Sequence, residues 1–355
     1  MLKAALGSCV EQIADLERVI AFHEAFRAES QSAVAGWAKG AVGLLPEDSK
    51  WRRLEATMIV GALYAAWEKY IESAMAEAID VLSRTSRFST LDESFQKRYR
   101  RGFAHILASN EMRRFAHLST KQMVDSYHAL LADAPGSYLI PEVLVFHDGN
   151  LRMDEIVKLL AQVGIEATEK WIGDDPELNE FVQTALGGSN TLKAELKSFV
   201  DLRNDLAHGN VCAIPASEEL RRYCSMIRKL TESLNKLLSR RAFDEMRKAK
   251  RTEELGTIKE VFKERTVAII DSTARMGMMV GEEVFIYSAS FFEPVEILDI
   301  QLAGAACHGV SPLGKIEVGL RMSKAKCRVG GRIERLIHQG VASGSDDQTN
   351  YGAGI

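Results

Sequence analysis

Between residues 60 and 79 an apolar side chain recurs every three or four positions: Val60, Leu63, Tyr64, Trp67, Ile71, Met75 and Ile79. At 3.6 residues per turn all seven fall on one stripe of a helix, and a stripe this rich in aromatics has to be buried against other helices. Further segments of helical period lie near residues 10–28, 92–108, 119–132, 152–163, 176–185, 190–208 and 216–255. Turn-forming clusters separate them, among them Ala134-Pro135-Gly136, His147-Asp148-Gly149-Asn150, Gly173-Asp174-Asp175-Pro176 and Gly187-Gly188-Ser189-Asn190. Ser189 or Asn190 is the expected cap of the helix at 190. These patterns predict a mainly α fold, a helical bundle over residues 1–265.

Beyond about residue 268 the pattern changes to short strands. Gly281-Glu282-Glu283-Val284-Phe285-Ile286-Tyr287 reads as turn then strand. Residues Pro294 to Ile300 mix apolar and acidic positions, and Lys315 to Arg321 alternate cleanly, with Gly330-Gly331 as a further turn. Several short strands in one block predict a small all-β barrel or sandwich over residues 266–340. The small, polar tail 341–355 is expected to be disordered.

The chain carries 26% charged residues and a formal net charge of −4, which argues against a generic polycation. Its charge is unevenly placed. Between Arg84 and Lys121 nine Lys or Arg face three Asp or Glu, and between Arg221 and Arg251 eleven face three. Such stretches are either solvated helix faces or a surface that follows a phosphate backbone. Five cysteines without a CxxC pair suit a reducing, cytoplasmic setting and form neither a disulfide framework nor a zinc knuckle. No apolar run approaches the roughly 20 residues of a membrane span. No Walker-type phosphate loop or ligand-spaced histidine pair occurs, so neither a cofactor nor a metal is expected.

The most chemically loaded stretch is Leu202-Arg203-Asn204-Asp205-Leu206-Ala207-His208-Gly209. On a helix Asn204 and His208 are four apart and share a face, and the long side chain of Arg203 can curl toward them. Gly209 is the expected end of the helix. An imidazole can move protons near neutral pH, and a guanidinium can hold a phosphate through paired hydrogen bonds. Arginine and histidine together suffice, in principle, to cleave RNA without a metal. The competing reading is an ordinary helix end in which Arg203 pairs with a nearby acid.

This run resembles the signature of the HEPN superfamily, in which Arg, a polar residue and His mark a ribonuclease site. Two more segments are similar to the bacterial RiboL-PSP-HEPN type: Tyr64-Ala65-Ala66-Trp67-Glu68-Lys69-Tyr70-Ile71, and the stretch from Gly149-Asn150-Leu151-Arg152 to Gly164-Ile165. The resemblance implies an all-helical, usually homodimeric, metal-independent endoribonuclease with Arg203, Asn204 and His208 as its catalytic set. It also implies toxin–antitoxin or phage-defence settings, with an antitoxin or defence-system protein as partner. The alternative within the superfamily is a non-catalytic adaptor for RNA or protein. Glu68, beside the stripe of its helix, is the expected support of Arg203. Arg98, Arg100, Arg101, Arg113, Arg114, Arg221 and Arg222 are candidates for steering RNA. The C-terminal block resembles the second-domain barrel of translation GTPases, through Val280 to Val284, Val295, Ile297, Ile300 and Val318-Gly319-Leu320. Two roles stay open for it: delivery to tRNA or the ribosome, and dimerisation or protein binding.

Overall fold

The computed structural model describes residues 2–32, 46–109, 115–188, 190–210, 213–273, 277–288, 291–310, 316–324 and 327–337. The tail expected to be disordered, 341–355, lies outside them. The chain divides into two units, Met1–Glu245 and Met246–Ile355. The first is helical: α1 (Ala4–Ser32), α2 (Asp48–Thr85), a 3-10 turn (Phe88–Thr90), α3 (Glu93–Ala108), α4 (Thr120–Leu131), α5 (Glu142–Val145), α6 (Met153–Gln162), α7 (Thr168–Asp174), α8 (Pro176–Ala185), α9 (Leu192–His208) and α10 (Ser217–Lys248).

The apolar stripe is the axis of this unit. Val60, Leu63, Trp67, Ile71, Met75 and Ile79 on α2 are all fully buried, each contributing roughly 1.5–3 kcal/mol of burial. Burying Trp and Tyr also requires partners for their polar ends. The Trp67 indole donates to the Leu151 carbonyl at 3.2 Å, and the Tyr70 hydroxyl donates to the Thr231 carbonyl on α10 at 2.7 Å. The shorter helices begin at the caps that their sequences offer. Asp92 accepts from the Phe95 amide at 2.7 Å, and Asp175, followed by Pro176 at the first helical position, accepts from the amides of Glu177 and Leu178.

At α9 the cap differs from the expected one. Thr191 accepts from the Ala194 amide at 3.1 Å, whereas Asn190 donates to the Glu195 carboxylate at 2.9 Å. Thr191 stands three residues before that amide, the reach a capping hydroxyl needs. Ser189 lies outside the described residues.

The second unit contains β1 (Thr252–Phe262), β2 (Val267–Ser272), β3 (Met278–Met279), β4 (Glu283–Ser288), β5 (Phe291–Leu302), β6 (Ala305–Cys307), β7 (Gly309–Val310), β8 (Ile316–Met322) and β9 (Arg332–Leu336). Six strands run β4-β9-β1-β2-β8-β5, and β5 pairs again with β4, so the sheet closes into an antiparallel barrel. Closure leaves no edge among those six; β6 extends β5, and β3 pairs with β7. Leu255, Ile270, Val284, Ile297, Leu320 and Ile333 fill the interior.

The boundary differs from the 265/266 expected from sequence. Helix α10 stops at Lys248 instead of running to about 255, and Thr252–Phe262 is a barrel strand. Its alternation is hidden by irregular pairing at Glu254/Gly256 on one side and Ile258/Glu260 on the other, and such irregularities break the two-residue period.

Helices α3 and α5 touch through a glycine. A Cβ at Gly102 would lie 2.0 Å from the Val143 carbonyl oxygen, a backbone atom. Gly102→Ala is therefore expected to destabilise the helical unit by about 1–3 kcal/mol, read as a lowered denaturation midpoint. An unchanged midpoint would show that the two helices can part at no cost.

Candidate active site

Helix α9 buries Leu196, Phe199, Val200 and Leu206 and leaves its polar residues toward solvent at its C-terminal end. Arg203 and Asn204 are half-buried there, and His208 is exposed. The helix stops as its sequence predicts. Gly209 takes a left-handed φ of 74°, the Asn210 amide donates to the Asp205 carbonyl, and the Gly209 amide to that of Leu206. This paired pattern caps the last carbonyls and makes His208 the final helical residue. No hydrogen bond or ion pair engages His208 among the described residues.

Among the described residues Arg203 pairs with no acid. Its guanidinium lies over the Tyr64 ring, 4.5 Å from the centroid, and one of its N–H groups donates to the Asn204 side-chain oxygen at 3.0 Å. A ring face holds a cation without neutralising it, and the amide uses only one of the five donors. The guanidinium is fixed in place and still has donors for an anion.

Tyr64 is held just as firmly. Its hydroxyl accepts from the Leu151 amide at 3.1 Å and lies 3.5 Å from both Glu68 Oε1 and Asn150 Oδ1. Burial pushes the phenol above its ordinary value, so the hydroxyl stays protonated. Its ring meets Phe199 on α9, which in turn meets Tyr223 on α10.

Glu68 reaches Arg203 only through Tyr64. No direct Glu68–Arg203 ion pair exists among the described residues; the Glu68 carboxylate instead lies 4.0 Å from His147 Nε2. Glu72, one turn further along α2, is 3.6 Å from the same nitrogen. His147 is buried, and its Nδ1 donates to the Gly149 carbonyl at 2.9 Å, which turns Nε2 toward the two carboxylates. The loop 147–152 is thus strapped to α2 by His147, Asn150 and Leu151. It is strapped to α9 by the Arg152–Asp201 ion pair. Tyr64 and His147 are the two site residues that the sequence reading did not single out. By its period the first reads as core, and by its neighbours the second reads as part of a turn.

The basic candidates separate. Arg221 makes a paired contact with Glu24, and Arg222 binds the buried Glu195 at 2.9 Å. Arg98 donates to the Gln162 carbonyl at 3.3 Å. Arg100 and Arg101 are exposed on α3; Arg113 and Arg114 lie outside the described residues. Among the described residues no group of three or more His, Cys, Asp or Glu could hold a metal ion. None of their helices is long and apolar enough to cross a membrane.

A helical bundle that presents Arg, Asn and His at the end of one helix agrees with the HEPN resemblance of the sequence. The profile of the RiboL-PSP-HEPN family matches residues 38–240, more than half of the chain, and the chain belongs to that family. No curated protein and no solved structure matches it. Membership points to RNA cleavage or to RNA binding as an adaptor.

The strap has a pH signature. Lys197, hydrogen-bonded at 2.7 Å, and Arg152 hold Asp201 below its ordinary value of 3.8. A depressed carboxyl contributes stability that is complete above the ordinary value and lost as pH falls through the depressed one. Asp201→Asn is expected to remove that part of the acid loss, read from denaturation midpoints between neutral pH and pH 3. An identical acid profile in the variant would show that the strap is energetically idle.

Proposed function

We propose that the chain is a metal-independent endoribonuclease in which His208 moves the protons, Arg203 binds the scissile phosphate and Asn204 positions the guanidinium. The observation that carries this reading is Arg203 held on the Tyr64 ring, five residues before an exposed His208 on the same helix, with no ion pair on either among the described residues. An ordinary helix-end salt bridge would have neutralised the guanidinium.

The chemistry follows from these groups. His208 takes the proton of a ribose 2′-OH, whose oxygen attacks the adjacent phosphorus. The P–O5′ bond breaks and the leaving 5′-oxygen takes up a proton, giving a 2′,3′-cyclic phosphate and a 5′-OH. The extra negative charge of the crowded phosphorus is met by the guanidinium, whose paired donors match two phosphate oxygens. One imidazole cannot be base and acid at the same instant. A homodimer that brings two α9 ends to one cleft supplies the second, as the family resemblance implies. Arg100 and Arg101 belong to the RNA-steering surface, and the closed barrel serves delivery to tRNA or the ribosome, as the resemblance of its sequence to the second domain of translation GTPases implies. A toxin or phage-defence role, restrained by an antitoxin or a defence-system partner in the cytoplasm, fits such an enzyme. The second reading, a non-catalytic adaptor, is favoured by Arg221 and Arg222 being engaged within the chain.

The test is incubation of the wild type and His208→Ala with total tRNA and mRNA in EDTA, with the fragment ends identified. We expect the wild type to leave 2′,3′-cyclic phosphates and the variant to be slower by about 10²–10⁴-fold. RNA bound but uncut by both would favour the adaptor, and equal cleavage by both would remove His208 from the mechanism.

A further inference from the structure

Along α2, Tyr64, Glu68 and Glu72 recur every fourth position and form one stripe that leads away from Arg203. It covers about 12 Å at 1.5 Å per residue. The contacts along it are continuous: Tyr64 hydroxyl to Glu68 at 3.5 Å, Glu68 to His147 at 4.0 Å, His147 to Glu72 at 3.6 Å. At the Glu72 end the surface opens into a cavity of about 490 Å³, within the range that takes a small ligand.

Its lining is chemically specific. The half-buried Phe146 supplies an aromatic wall, backed by the buried Phe115, with ring centroids 5.5 Å apart, and by His105 at 4.5 Å. Lys69 and Glu72, three apart on α2 and so at adjoining positions of its surface, both line the cavity and supply it with an ammonium and a carboxylate. His117 and Glu142, 2.9 Å apart, complete the rim. Aromatic faces with a few hydrogen-bonding groups are how proteins read an unstacked RNA base.

We propose that this cavity is a nucleobase subsite selective for guanine, in an RNA strand whose scissile phosphate lies on Arg203. It rests on the ribonuclease reading of α9. The selectivity comes from the donor pattern. Guanine presents two N–H donors side by side, at N1 and N2, which a carboxylate accepts together, and its O6 beside them is an acceptor for an ammonium. Adenine and cytosine set a ring nitrogen lone pair next to their one amino group, facing the carboxylate. Uracil offers one N–H flanked by two carbonyls. Only guanine places two donors against Glu72 and an acceptor against Lys69.

The test is titration calorimetry of the full-length His208→Ala protein with the 3′-monophosphates of guanosine, adenosine, uridine and cytidine. Guanosine 3′-monophosphate is expected to bind about tenfold or more tighter than the other three. Glu72→Gln, of the same shape, should bring the four close to equal. Lys69→Gln, at an exposed position, should weaken guanosine binding without touching the fold. Four equal affinities, no binding, or a guanine preference unchanged in Glu72→Gln would overturn the proposal. Because binding is read without cleavage, the outcomes separate. Guanosine bound by a wild type that never cuts RNA would leave the subsite standing and remove the ribonuclease reading.

Discussion

The helical unit turns on a single phenol. The Leu151 amide would otherwise be a buried donor without a partner, at a cost of about 1–3 kcal/mol, and the Tyr64 hydroxyl is what satisfies it. That bond fixes the loop 147–152 against α2, and the same ring fixes Arg203. Because the ring also packs on Phe199, helix α9 cannot shift along α2 without disturbing both. One side chain therefore couples the core helix, the loop and the polar helix end. The family resemblance draws on these three segments, and the structure brings them together at this residue.

What could be read from the sequence follows the range of the interactions involved. The α2 stripe and the end of α9 at Gly209 are local, set by helical period and a left-handed glycine, and both are visible in a few consecutive residues. The cap of α9 was displaced because three adjacent residues, Ser189, Asn190 and Thr191, carry side chains able to cap, and Asn190 is drawn to Glu195 instead. His147 could not be recognised as a site residue from its neighbours, because its carboxylates sit on a helix more than seventy positions upstream. Arg221 counted as free positive charge for the same reason: Glu24 is almost two hundred residues away. Charge patterning sees clusters along the chain, and folding neutralises across it.

The barrel makes the complementary point about strands. β8 alternates strictly between inside and outside and is legible, whereas the strand character of β1 is hidden because its register slips against both neighbours. Its polar residues have work within the closed sheet. Glu253 on β1 binds the buried Arg335 of β9, which also reaches Glu282 and the Gly277 carbonyl. A buried guanidinium is tolerated only when its donors are met in this way. Glu253 thus meets an arginine about eighty positions further on.

The buried Arg335 and the half-buried Arg203 are held in contrasting ways. Arg335 is closed in by two carboxylates and a carbonyl, so its charge is spent on holding strands together. Arg203 sits on a ring face and an amide, contacts that fix its position and leave its charge available. The first arrangement stabilises a fold, and the second leaves a positive charge that is not neutralised. Replacing Tyr64 by a carboxylate would strengthen the hold on Arg203 while cancelling the charge that the site presents. An aromatic residue at this position of α2 therefore holds the guanidinium without cancelling its charge.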